Sequence, residues 1–201
     1  GSEMCIRDRA KMLYHYHSEL FYQGNSGFSQ PYYSTHNWYQ AKMGLTKPFL
    51  NTYYTTMAAT ADRETYSFWE HLYKMTPHKT HEEANFLMDT RRMLYMENKD
   101  TLEIFKVIPR NWLEDGKKIS LHNVRSYFGE LEVSAVSSIS SGVIEANVEC
   151  HSDKMPICVK IRLPHPENKV PTKVEGGCYD EKRETVIIKP FDGKSVVRLT
   201  F

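Results

Sequence analysis

Near residue 100 the spacing of apolar residues changes from that of a helix to that of a strand, and no other feature constrains the fold of this chain more. Before that point, Leu13, Tyr16, Leu20 and Phe21 fall near one face of a helix over residues 9–23, which Gly24 ends. A short helix is expected at 38–43. Thr46 is expected to cap a further helix over 46–59 that buries Phe49, Leu50, Tyr53 and Met57, and Pro48 suits its first turn, where a missing N–H costs nothing. Thr80-His81-Glu82-Glu83 has the form of a capping box, and Ala84, Leu87, Met88, Arg91 and Leu94 continue with helical spacing to about residue 96. Beyond residue 100 alternation takes over. Strands are expected at 101–107, 118–121, 129–136, 143–150, 157–163, 185–188 and 195–201, with turns at Asp115-Gly116 and Ser141-Gly142. Helices followed by short strands predict an α+β chain of more than one domain, with residues 10–100 helical and residues 101–201 an antiparallel β-sandwich.

A length of 201 residues is enough for one large domain or two small ones. A formal net charge of +1 argues against a dedicated nucleic-acid binder, and no apolar run approaches the length of a bilayer span. The cysteines at 5, 150, 158 and 178 form no CxxC pair, so neither a zinc knuckle nor a thioredoxin-like site is expected. Cys150 and Cys158 fall in successive expected strands, and are read as buried thiols in preference to cross-strand partners. Gly1-Ser2 reads as a cloning scar, and Met4-Cys5-Ile6-Arg7-Asp8-Arg9 as translated sequencing adapter of the kind common in environmental assemblies. The natural sequence is therefore expected to begin near Ala10, with residues 1–9 set aside.

Between the third helix and the capping box lies the segment from Asp62 to Glu83, which combines carboxylates, histidines, tyrosines and a tryptophan in one connection. Sugar-processing clefts use that mixture, because aromatic faces stack on pyranose rings while carboxylates do acid and base work. Glu70 follows Trp69, and partial desolvation beside an indole suits a general acid or base; the alternative is a surface glutamate. Glu64 could supply a second carboxylate, although Asp62 and Arg63 beside it favour a salt-bridged loop. His78 and His81, with Lys79 between them at a helix N-terminus, could hydrogen-bond sugar hydroxyls or hold an anion. A zinc site is the weaker reading, since no third ligand is near. Tyr32, Tyr33 and Trp38 could stack on sugar or pack the helical layer. His15 and His17, two apart on a helix, point to opposite sides and are discarded. No metal or cofactor is expected.

The pattern resembles the C-terminal end of six-hairpin glycosidases, the α-L-rhamnosidase-like enzymes and their relatives. Thr65-Tyr66-Ser67-Phe68-Trp69-Glu70 is similar to the Thr-Thr-x-Trp-Glu element late in their α/α toroid, whose glutamate lies in the sugar cleft. Residues 102–112, LEIFKVIPRNW, with Ser126-Tyr127-Phe128-Gly129-Glu130-Leu131 after them, are similar to the Ile-x-Pro and Tyr-Gly-x-Leu pattern that opens the β-sandwich cap. Tyr66 and Ser67 depart from the Thr-Thr pair, and His78-Lys79-Thr80-His81-Glu82-Glu83 is not the usual histidine-bearing motif, which implies a distinct branch.

The resemblance covers about residues 12–201 and implies a glycoside hydrolase acting on polysaccharide or oligosaccharide side chains. Glu70 would be the catalytic base or a sugar-contacting carboxylate, and Glu64, Trp69, His78, His81 and Tyr33 would line the cleft. Only about four helices of ordinary length fit before residue 100, roughly a third of a toroid. The chain is then expected to lack the upstream helices that carry the catalytic acid, and to be inactive alone. The expected partners are carbohydrate and that upstream helical region, with exposed helical faces open to oligomerisation; nucleic acid and membrane are not expected. A periplasmic or secreted location is implied ahead of a cytoplasmic one. The alternative is a non-catalytic carbohydrate-binding or protein-interaction module.

Overall fold

The structure is a computed structural model. It describes residues 3–24, 36–70 and 76–201, with side chains described over 6–16, 36–70 and 76–201. The chain is α+β and divides into two compact units, Gly1–Arg92 and Met93–Phe201. Among the described residues, no helix is long and apolar enough to cross a membrane.

The first unit contains helices α1 (Glu3–Gly24), α2 (His36–Met43) and α3 (Thr46–Thr60), then a short hairpin of β1 (Ala61–Asp62) and β2 (Ser67–Phe68). Most of α4 (Thr80–Leu94) also belongs to it. Gly44 adopts a positive φ of 71° between α2 and α3, where a residue with a Cβ would be strained. Leu45, not Thr46, is the N-cap of α3, and it makes no side-chain capping bond. Thr46 is therefore the first helical residue, and Pro48 sits third, still inside the turn whose N–H groups lack helical partners. The core of this unit is aromatic. Phe49 is fully buried, Tyr53 stacks on Phe86 with centroids 5.4 Å apart, and Phe68 lies 5.0 Å from the same ring.

On α4 the buried positions are Glu82, Asp89 and Met93, whereas Leu87 and Met88 are 66% and 44% exposed. Leu13 and Tyr16 of α1 are exposed as well.

The second unit contains two open five-stranded sheets. One has β3 (Tyr95–Asn98), β4 (Thr101–Ile104), β8 (Cys158–Arg162), β10 (Cys178–Asp180) and β11 (Thr185–Ile188), in the order β10-β11-β8-β4-β3. The other has β5 (Lys118–Ser126), β6 (Gly129–Ser138), β7 (Val143–His151), β9 (Lys173–Glu175) and β12 (Lys194–Thr200), in the order β5-β6-β7-β12-β9. All pairings are antiparallel except β4 with β8, which are parallel. In the second sheet β6 and β7 alternate strictly. Leu131, Val133 and Ala135 on β6 and Ile144, Ala146, Val148 and Cys150 on β7 are buried, with charged and polar residues between them. The first sheet is buried more completely, since Leu102, Glu103 and Ile104 on β4 are all covered.

The strand period begins earlier than the sequence suggests. Tyr95 starts β3, and Lys99, at φ 58°, turns the chain into β4 instead of ending a helix. Cys150 and Cys158 are both buried free thiols, on strands of different sheets.

Candidate functional site

The connection from α3 to α4 is built around the β1–β2 hairpin. Asp62 Oδ1 accepts the Glu64 and Thr65 amides at 2.8 and 3.3 Å, an Asx turn that fixes the tip. Tyr66 at this tip has φ 55° and is 92% exposed. The strand after the tip is then tied on both sides. Trp69 N–H donates to Thr60 C=O at 2.8 Å, Glu70 N–H to Thr76 C=O at 3.0 Å, and Lys79 N–H to Phe68 C=O at 3.2 Å. Residues 68–70 and 76–79 therefore run side by side and deliver Glu70 to the start of α4.

There the Lys79 ammonium lies 2.9 Å from Glu70 Oε2. His81 Nε2 lies 2.8 Å from Glu82 Oε2, whose side chain is 3% exposed. The backbone of Lys79 accepts the amides of both Glu82 and Glu83 and so opens the helix. Glu82 and Glu83 in the first turn and Arg91 and Arg92 in the last complement the helix dipole.

Of the residues singled out in the sequence, Glu70, Trp69 and His81 are half-buried and belong to this paired corner. Glu64 and His78 are exposed; Glu64 contributes its amide to the Asx turn, and His78 bends the chain at φ 58°. Tyr33 and Tyr32 lie outside the described residues. Trp38 is 41% exposed, with the Lys42 ammonium 4.8 Å from its ring centroid. The ammonium at 2.9 Å makes Glu70 one half of an ion pair, which leaves it an acceptor for hydroxyl groups.

A second polar cluster went unnoticed in the sequence. The buried face of α2 consists of Asn37, Gln40 and Ala41, an amide pair three residues apart where leucines are usual. Asn37 Nδ2 donates to Asp89 Oδ2 at 2.6 Å, and Arg92 holds the other carboxylate oxygen at 2.7 Å. Burial pushes the Asp89 carboxyl above its ordinary value, while the bonds from Asn37 and Arg92 act in the opposite direction. Next to Asp89 in sequence, Thr90 meets the Tyr53 hydroxyl at 2.8 Å. Gln40 Nε2 reaches Tyr14 and Thr52 at 3.3 and 3.4 Å. The only sequence signal for this cluster was the polar spacing of Asn37 and Gln40.

Among the described residues no group of three His, Cys, Asp or Glu side chains is placed to hold a metal ion. Compared with protein-family models and with curated proteins, the chain matches none of them.

Proposed function

We propose that this chain is the C-terminal part of a glycoside hydrolase similar to the six-hairpin α-L-rhamnosidase-like enzymes. In this reading the first unit supplies the last hairpins of an α/α toroid, and the second is its β-sandwich cap. The observation that carries it is the corner at the start of α4. The Thr65–Glu70 stretch that resembles the family element ends on a half-buried glutamate beside a tryptophan, with Lys79 fixing the carboxylate. Glu70 acts as the base or as a carboxylate that accepts sugar hydroxyls, Trp69 offers a ring face, and His81 adds a hydrogen-bonding group.

The partners are then a polysaccharide and the upstream helices of the same protein. The test is hydrolysis by protein that includes the upstream region. Glu70→Gln is expected to lower kcat by about 10²- to 10⁴-fold, the usual worth of a positioned acid or base. Wild-type turnover in that variant overturns the assignment. A non-catalytic glycan-binding module is the second reading, supported by the polar outer face of the β5–β6–β7 sheet; it requires glycan binding that is indifferent to Glu70.

A further inference from the structure

The hairpin joining β5 to β6 holds one aromatic side chain in water and spends several bonds on keeping it there. Ser126 pairs with Gly129, leaving Tyr127 and Phe128 as the turn. Phe128 is buried, its N–H donates to Ser126 Oγ at 3.1 Å, and Ser126 Oγ donates to Gly129 C=O at 2.9 Å. Two further bonds come from β3 in the other sheet. The Tyr127 N–H donates to Glu97 Oε1 at 2.9 Å, and the Tyr95 hydroxyl donates to Arg125 C=O at 3.0 Å. The tip is thus clamped, yet Tyr127 itself is 83% exposed. A single exposed aromatic needs no explanation, but a ring on a backbone fixed from two sheets is pre-organised for contact, which lowers the entropy lost on binding.

Behind that tip, the outward residues of three neighbouring strands form a continuous polar face. Register places Arg125 opposite Glu130, Glu130 opposite His151, and Glu132 opposite Glu149. Each of its carboxylates has a basic or imidazole neighbour, and with the histidines neutral the excess charge is small. Arg125 lies 3.3 Å from Glu130, His122 2.8 Å from Glu132, and His151 2.8 Å from Glu149, which Lys194 also meets at 3.0 Å. The Asn123 amide bond and His122 hold the Glu132 carboxyl below its ordinary value, and Lys194 does the same for Glu149. These carboxylates stay acceptors. A face whose acids and bases are paired has little excess charge to draw a polyelectrolyte, but it offers planar donors and acceptors to hydroxyl groups.

We propose that the outer face of β5–β6–β7, with Tyr127 at its end, is a binding surface for a neutral polysaccharide. The tyrosine ring stacks on a sugar face, and Arg125, Glu130, Glu132 and His151 exchange hydrogen bonds with its hydroxyls. This surface belongs to the second unit, and the proposal does not depend on catalysis at Glu70.

The test is affinity electrophoresis of the whole chain in native gels cast with xyloglucan, galactomannan or arabinoxylan, and with polygalacturonate as an acidic probe. Retardation is expected with at least one neutral polymer. Tyr127→Ala should weaken that binding roughly tenfold or more, as truncation of an anchoring aromatic does, while Tyr127→Phe leaves it unchanged. The proposal is overturned if no neutral polymer retards the chain, if only polygalacturonate does, or if Tyr127→Ala binds as the parent does. Loss of binding in Glu70→Gln alone overturns it as well, and places the glycan at the helical unit.

Discussion

Removing the charge of Glu184 is expected to loosen the β8–β11 half of the first sheet far more than removing any surface carboxylate. Glu184 sits at the turn before β11, with Oε1 2.6 Å from Arg110 Nη1 and Oε2 2.8 Å from Arg162 Nη2. The Arg162 side chain is only 10% exposed and also donates to Ile108 C=O at 3.1 Å. Arg110 additionally bonds His165 C=O at 2.8 Å, so one carboxylate ties together the segment after β4, strand β8 and the turn before β11.

In Glu184→Gln the two guanidinium groups keep each other's company without a counter-charge. Removing one partner of a buried pair costs about 3–5 kcal/mol. Here the Glu184 and Arg110 side chains are 21% and 31% exposed, so water screens part of the loss, and about 2–3 kcal/mol is the working figure. At 1.4 kcal/mol per decade, amide exchange in residues 159–162 and 185–188 should quicken by about 30- to 150-fold.

Burial alone would raise the Glu184 carboxyl, but the bonds from Arg110 and Arg162 leave it below its ordinary value of 4.5. Its contribution is therefore present above that value and lost as the pH falls through the lower folded one, so parent and variant should converge in acid. The control is Glu175→Gln. Lys173 and Glu175 lie 2.8 Å apart with side chains 66% and 48% exposed, and water screens so open a pair almost completely. If the two variants exchange alike at pH 7, the account of the Arg–Glu–Arg cluster is wrong.

His165 gives a second pH dependence. It is 2% exposed, its Nδ1 accepts the Glu167 N–H at 3.0 Å, and its ring lies 4.5 Å from that of Phe201. Burial first, and Lys169 next, depress its proton affinity below the ordinary 6.5. The stability it contributes is complete above that value and lost as the pH falls through the lower folded one, so the unfolding midpoint should drop as the pH falls below about 6.5. His165→Asn should flatten that drop, and an unchanged slope would refute the assignment. Gly129→Ala is expected to destabilise by more than about 1 kcal/mol in urea unfolding. Its φ is +105°, and a Cβ would come within 2.5 Å of Ser152 Cβ and 2.6 Å of His151 O. A variant as stable as the parent would show that the β5–β6 tip can shift.

What the sequence made legible was period, and what it hid was partnership. Strand β11 over Thr185–Ile188 coincides with its expected run, and β6, β7 and β12 lie within a residue or two of theirs, because inward Leu, Val, Ile and Ala alternate with outward charge. The pieces missed were too short to carry a period, such as β1, β2, β9 and β10, or carried an ambiguous one, such as Tyr95 and Met96. Strand β5 ran on past Leu121 because Asn123, at φ 53°, absorbs a register shift that no alternation rule foresees.

On α4 the reading of period misled, for a chemical reason. Ala84, Leu87 and Met88 form the apolar stripe that amphipathicity assigns to a core, yet Glu82 and Asp89 are the residues buried. A carboxylate goes inside only where a partner offsets its desolvation. Asn37 from α2 and Arg92 from the next turn do so for Asp89, and Glu82 has the His81 imidazole 2.8 Å from its Oε2. Asn37 lies 52 residues away from Asp89, so no local window could have found it. The same logic separates the two acidic sites singled out first. Glu70 is met by Lys79 through a chain reversal that brings residues 68–70 beside 76–79, whereas Glu64 sits on a tip whose turn uses only its amide. Composition placed both glutamates in one connection, and the backbone path between them decides which one is met by a lysine.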